Sequence, residues 1–252
     1  MHLAIVVPTY NEADNIEKLI DTIFSSPLPE NDRVSVVVVD DHSSDGTQEI
    51  LHRLERRYQD KLHVIIRTEE RGRGTAGIRG FKECHKLPCD CMMEMDADFS
   101  HSPQHIPKFL AFIRYYDVVI GSRYVEGGYV SDWPLSRKIV SACSNFIYRF
   151  VLGTKIHDLS GGFKCYRRKV IESLNFDEFY SHGYSIGIET LFRCYKQGFT
   201  FLEIPIAFRN RKKGKSKFHF GEALGAVVVI FRLFLKYGRA ARLFDRLSNG
   251  KP

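Results

Sequence analysis

The stretch Leu3-Ala4-Ile5-Val6-Val7-Pro8-Thr9-Tyr10-Asn11-Glu12 is an apolar run that stops at a proline turn, and Val34-Ser35-Val36-Val37-Val38-Val39-Asp40-Asp41 repeats the form, stopping at two acids. Runs this short and this apolar suit strands covered on both faces. Similar runs at residues 62–66, 91–95 and 118–120 extend the series. Between them Ile16, Leu19, Ile20 and Ile23 recur at helical spacing, as do Ile50, Leu51 and Leu54, with Asp45 the expected cap of that second helix. Strands alternating with helices predict an α/β fold built on a mostly parallel, Rossmann-like sheet with flanking helices. Residues 121–162 break the alternation with Gly127-Gly128, Trp133-Pro134 and Gly161-Gly162 turns around one helix near 137–150, and read as the walls of a site.

The 252 residues, 44% hydrophobic and 27% charged, suit one large domain with a terminal appendage and exclude both a disulfide-built scaffold and global disorder. No window approaches the roughly 18 apolar residues of a membrane span, and the N-terminus enters a strand directly, without the pattern of a signal peptide. A formal charge of +7 points to a polyanionic partner: nucleic acid, anionic lipid or a phosphorylated small molecule. The six cysteines lack a paired CxxC pattern and are expected to be reduced. Cys84, Cys89 and Cys91 beside His85 match no common zinc spacing.

In open α/β sheets ligands sit beyond the carboxyl ends of the strands. Here those ends are acidic: Glu12, the run Asp40-Asp41 to Asp45, and Asp96-Ala97-Asp98. Carboxylates on one rim repel unless a cation lies between them, and a divalent metal meets that need. In extended backbone Asp96 and Asp98 point to the same side, and hard oxygen ligands suit Mg²⁺ or Mn²⁺ bridging a nucleotide diphosphate. Residues 72–77 satisfy GxGxxG, but they follow the third strand after a charged stretch, so a helix-entry turn near the donor is expected rather than a dinucleotide fingerprint.

Taken together, Pro8-Thr9-Tyr10-Asn11-Glu12, Val39-Asp40-Asp41 with Ser43 and Asp45-Gly46-Thr47, Arg67 with Gly80-Phe81, Met95-Asp96-Ala97-Asp98, Gly121-Ser122-Arg123-Tyr124, Trp133 with Arg137 and Ser141, Ser160-Gly161, and Arg211 with Gly214-Lys215-Ser216-Lys217 occur in an order and spacing that resembles the inverting GT-A glycosyltransferases related to dolichol-phosphate mannose synthase. The resemblance covers roughly residues 3–218. It implies a GT-A catalytic domain over 1–217 and a C-terminal amphipathic helical tail over 218–252. It further implies that Pro8, Tyr10, Glu12, Val39 and Asp41 hold the nucleoside and that Asp96, Ala97, Asp98 and Ser100 surround metal and diphosphate, with Arg211 and Lys217 on a mobile basic loop also reaching the nucleotide sugar. Arg123 and Arg137, with Ser141, would dock the acceptor phosphate, and with Asp98 they form the expected catalytic set. The family carries Gln after a similar DAD where this chain has Phe99-Ser100.

The implied reaction is transfer of a hexose with inversion, mannose from GDP-mannose, to dolichyl or polyprenyl phosphate. The alternatives are glucose from UDP-glucose to the same lipid, and nucleic-acid binding through the basic run at 209–217, which leaves the acidic strand ends unexplained. A phosphate acceptor is anionic at neutral pH and needs no base, whereas a sugar acceptor would, with Glu189 as the candidate. Apolar residues over 223–235 cover about two-thirds of a membrane span. Arg232, Lys236, Arg239, Arg242 and Arg246 then follow at helical intervals, so residues 220–247 are expected to lie in an anionic interface on the cytoplasmic face of a membrane. Packing of this helix on the domain, or on a small membrane subunit, is the competing expectation.

Overall fold

A computed structural model describes residues 1–181, 183, 185–209 and 220–237, with 220–224 described by backbone alone. The strands are β1 (His2–Thr9), β2 (Arg33–Asp40), β3 (Leu62–Ile66), β4 (Cys91–Glu94), β5 (Val118–Ser122), β6 (Tyr129–Ser131), β7 (Lys164–Arg167), β8 (Phe201–Pro205) and β9 (Ala207–Arg209). The helices are α1 (Ile16–Phe24), α2 (Thr47–Tyr58), α3 (Arg73–Cys84), α4 (Ile106–Ile113), α5 (Leu135–Leu152), α6 (Arg168–Glu172), α7 (Ile186–Lys196) and α8 (Phe220–Tyr237).

Seven strands form one sheet in the order β3-β2-β1-β4-β7-β5-β8, and β6 pairs with β9 in a small parallel ribbon at its edge. β1, β2, β3 and β4 run parallel, as do β5 and β8, while β7 is antiparallel to both its neighbours. Strand alternation divides the core into two layers. Leu3, Ile5 and Val7 of β1 join Ile16, Leu51 and Phe109 from α1, α2 and α4. Ala4 and Val6 join Phe81, Leu152, Ile188 and Leu233 from α3, α5, α7 and α8 on the other face.

The expected α/β architecture stands, with local corrections. Gly46 at φ +95° is the residue that caps α2, and Asp45 acts from one position earlier, its Oδ1 accepting the Thr47 N–H at 3.1 Å and the Thr47 hydroxyl at 2.5 Å. β4 ends at Glu94, so Asp96 and Asp98 lie in a turn with Phe99 at φ +61°, and the same-side argument from extended backbone does not apply. Asn11 and His42, at φ +54° and +58°, make the corresponding left-handed turns after β1 and β2. Side chains seldom adopt this region, and such strain gathers at functional sites.

Candidate functional site

The acidic strand ends are held by arginines from the β3–α3 connection. Arg67 donates from Nε at 2.7 Å and Nη2 at 2.5 Å to Asp41 Oδ1, while Asp41 Oδ2 accepts the Gly72 N–H at 2.7 Å. Arg73 donates from Nε at 2.9 Å and Nη2 at 2.5 Å to Asp96 Oδ1, and from Nη1 at 2.9 Å to Glu94. Asp40, fully buried, is satisfied by the Thr9 hydroxyl at 2.9 Å and by Ser43 through its N–H at 2.8 Å and hydroxyl at 2.5 Å. Part of the repulsion among these acids is thus relieved by side chains: Arg67 at Asp41 and Arg73 at Asp96.

Residues 72–77 form the entry of α3, as expected, with Gly72 at φ +131°. A Cβ at Gly74 would lie 2.3 Å from the Gly183 carbonyl oxygen, and one at Gly80 would lie 2.2 Å from Val6 Cγ1. Gly80 lets α3 press against β1, and Gly74 lets its first turn, which carries Arg73, approach the Gly183 backbone and Ile186. Their spacing serves packing, not dinucleotide binding.

The loops after β1 and β2 are stapled together. Asn11 N–H donates to Ser43 Oγ at 2.8 Å, Glu12 N–H to Thr47 Oγ1 at 2.9 Å and Ser44 N–H to Asn11 Oδ1 at 3.0 Å. Tyr10 lies on this rim under the Arg71 guanidinium, 5.7 Å from its ring centroid, and Glu12 accepts from Asn15 at 2.9 Å. Val39 is fully buried in the core, so its side chain supports the strand end from below; Pro8 beside it is half-buried. Asp98 and Ala97 are buried, Asp96 is half-buried, and Asp98 Oδ1 accepts the Ser100 N–H at 3.0 Å. Ser100 Oγ and Trp133 Nε1 are buried with no hydrogen-bond partner among the described residues.

His101 is a residue that sequence reasoning passed over. Its Nδ1 accepts the Asp96 N–H at 3.0 Å, which fixes a neutral ring with the proton on Nε2, and burial pushes its pKa down. The ring stacks on Phe163 at 4.8 Å, and Phe208 links it edge-on to Trp133.

Arg123 is buried, donating to Asp158 from Nε at 2.8 Å and Nη2 at 2.7 Å, with its backbone N–H on the same carboxylate at 3.0 Å. Burial pushes the Asp158 pKa up, but the charge and hydrogen bonds of Arg123 outweigh it and hold the carboxyl below its ordinary value. Arg137, at the start of α5, lies 3.9 Å over the Trp133 ring, and Ser141 Oγ is 2.6 Å from the Tyr124 hydroxyl. Neither Asp158, the partner of Arg123, nor Asn145, the partner of Ser160, announces itself in the sequence. Arg211 and Lys217 lie outside the described residues, as do Arg239, Arg242 and Arg246.

Glu189 is not a base. Fully buried, it accepts the Tyr180 and Ser181 N–H groups and the Ser181 hydroxyl, and pairs with Arg193 at 2.7 Å, so its lone pairs are spent on structure. The cysteine trio is equally structural: Cys84, Cys89 and Cys91 are buried, with burial pushing Cys89 up to about 11.

Comparison with known proteins adds the following. The family model for glycosyl transferase family 2 matches residues 4–174. The chain is 37% identical over 214 residues to polyprenol monophosphomannose synthase of Mycolicibacterium smegmatis, covering 84% of this chain and 79% of that protein. It is 36% identical over 243 residues to undecaprenyl-phosphate mannosyltransferase of Micrococcus luteus, covering 96% of each. Among solved structures, glucosyl-3-phosphoglycerate synthase of Mycobacterium tuberculosis in complex with Mn²⁺, UDP and glucosyl-3-phosphoglycerate superposes with a TM-score of 0.64 at 18% identity, over 93% of this chain and 79% of that one, a likeness of fold.

Proposed function

Because this chain belongs to glycosyl transferase family 2, and is therefore a glycosyltransferase, we propose that it transfers mannose from GDP-mannose to polyprenyl or dolichyl phosphate with inversion at the anomeric carbon. The observation that carries this reading is the near end-to-end likeness to the undecaprenyl-phosphate mannosyltransferase.

The geometry supports it. Tyr10, Glu12 and the Arg67–Asp41 pair form the nucleoside end of the rim, and Asp96, Asp98 and Ser100 the diphosphate end. Among the described residues no three His, Cys, Asp or Glu side chains gather as a metal site. Two carboxylates completed by donor phosphate oxygens nevertheless fit Mg²⁺ or Mn²⁺, which keep few protein ligands at such sites. Asp96 and Asp98 would hold the ion, whose chemistry is to neutralise the leaving diphosphate. The acceptor phosphate, with a second pKa of about 6, brings its own anionic nucleophile, so alignment replaces base catalysis. That agrees with a Glu189 locked into the structure.

Peripheral seating on an anionic membrane belongs to the same reading. No helix among the described residues is long and apolar enough to cross a bilayer. Yet α5 turns Leu135, Ile139, Val140, Phe146, Ile147 and Phe150 outward, Phe150 being 80% exposed, and α8 beside it exposes Val227, Phe231 and Leu235 next to Arg232 and Lys236. Such a face suits an acyl boundary flanked by anionic headgroups. The deciding assay offers GDP-mannose, UDP-glucose and other nucleotide sugars with polyprenyl phosphate. Mannosyl-phosphoryl-polyprenol is the expected product; glucosyl transfer alone would overturn the mannose assignment. Flotation with anionic liposomes should be lost in the double variant Phe146→Glu, Phe150→Glu, and unchanged flotation would remove the α5 face from the membrane.

A further inference from the structure

Ser160 is exposed in the turn after Asp158, and its Oγ accepts hydrogen bonds from two groups that can only donate: Arg123 Nη2 at 2.8 Å and Asn145 Nδ2 at 2.8 Å. The amide of Asn145, buried on the inner side of α5, is oriented by its other contacts. Its Oδ1 accepts the N–H groups of Leu159 at 2.9 Å and Ser160 at 3.1 Å, and its Nδ2 donates to the Ser141 carbonyl at 3.0 Å. A flipped amide would set two donors against Nδ2 and a carbonyl against Oδ1. A hydroxyl has two lone pairs and one hydrogen. With both lone pairs of Ser160 taken, its O–H can only donate, and no acceptor for it lies among the described residues.

We propose that Ser160 donates this hydrogen to a phosphate oxygen of the lipid acceptor, and that Asn145 and Arg123 are the positioning residues that turn it outward. The inference rests on the polyprenyl-phosphate reading above and names a binding residue within it. The Arg123 hydrogen bond to Oγ polarises the hydroxyl and makes it a stronger donor, which favours an anionic oxygen over a sugar hydroxyl. Ser160 is bonded to Arg123 and, through Asn145, to α5, the helix that carries Arg137 and Ser141, so it sits among the residues expected at the acceptor phosphate. The donor diphosphate instead belongs with Asp96 and Asp98.

The test compares wild type with Ser160→Ala and Ser160→Thr in acceptor and donor kinetics with a short-chain polyprenyl phosphate, and in calorimetric binding of farnesyl phosphate, farnesol and inorganic phosphate. In Ser160→Ala the acceptor KM should rise about tenfold or more, with the GDP-mannose KM unchanged, because a hydrogen bond to a charged group is lost. Ser160→Thr, which keeps the hydroxyl, should restore most of it. Farnesyl phosphate affinity should fall in parallel and farnesol affinity should not. An unchanged acceptor KM, a rise in donor KM alone, or equal affinities of wild type and Ser160→Ala for farnesyl phosphate would overturn the proposal. Inorganic phosphate bound as tightly as farnesyl phosphate would overturn the lipid assignment. Absence of transfer by the wild type would instead count against the proposed reaction, while the binding comparison still decides Ser160.

Discussion

Arg73 pairs with Asp96, one of the strand-end acids whose mutual repulsion argued for a metal ion, and with Glu94. The acids were legible because they follow apolar runs; their partners were not, because an arginine inside a glycine-rich turn reads first as solvated charge. The same asymmetry runs through the site. Asp98, Tyr10 and Arg137 could be named from their motifs, whereas Asp158, Asn145 and His101 act through contacts far apart in sequence. Asp98→Ala should reduce transfer on the order of a thousandfold, the scale of losing a charge-stabilising group at a leaving diphosphate. Steady-state rates with Mg²⁺ and with excess chelator check it, and full turnover under chelation would remove the metal from the site. Glu189→Gln breaks a buried ion pair with Arg193 and should cost about 2–4 kcal/mol in urea unfolding. Its kcat at a temperature where it remains folded should stay within about twofold of wild type, since general-base loss would cost far more; a collapse of kcat would reinstate the base.

Helix α3 illustrates how little of an element's purpose shows in its pattern. The glycines at 72, 74 and 77 satisfy a well-known spacing, yet the close approach of the helix to β1 is made by Gly80, outside that motif. Gly80→Ala brings a methyl within 2.2 Å of Val6 Cγ1 and should destabilise the fold by about 1–3 kcal/mol, more than the helix-propensity gain of roughly 1 kcal/mol returns. Thermal unfolding measures the balance, and a stabilised variant would contradict the close packing. With α5 the sequence located the helix but gave no direction to its apolar residues, because periodicity is the same whether a stripe faces a core or the outside. Helix α8 packs on the domain through Ala226, Val229, Ile230 and Leu233, while Val227, Phe231 and Leu235 remain exposed.

Across the whole molecule, the parallel strands could be read from alternation, but the antiparallel β7 could not, since its Lys164-Cys165-Tyr166-Arg167 carries no apolar run. Its first residue is the least expected. Lys164 is 1% exposed, donates to the Leu159 carbonyl at 3.2 Å and the Gly187 carbonyl at 3.0 Å, and burial brings its pKa down from 10.5 to about 8. Between those values the unfolded chain holds a proton that the folded chain has released, so stability rises with pH across that window. The burden of the buried charge is full below it. Relative to Lys164→Met, wild type should therefore gain about 1–3 kcal/mol between about pH 7.5 and about 10 in urea unfolding. A difference independent of pH would refute the assignment.

The reversal at β7 also falls where the molecule changes hands. In the proposed reaction Tyr10, Glu12, Asp41, Asp96 and Asp98, for the nucleotide, lie on β1 to β4 and their loops, and Arg123, Arg137, Ser141 and Ser160, for the acceptor phosphate, lie between β5 and the turn at Ser160. The two sides touch closely at Gly162, where an added Cβ would lie 2.5 Å from Arg73 Nη2 and 3.3 Å from His101 Cε1. Such a seam makes the enzyme divisible. Residues 122–161 can be grafted from a family member with a different acceptor, and provided the glycine at the joint is kept, the chimaera inherits a new acceptor while its appetite for the nucleotide stays that of the recipient.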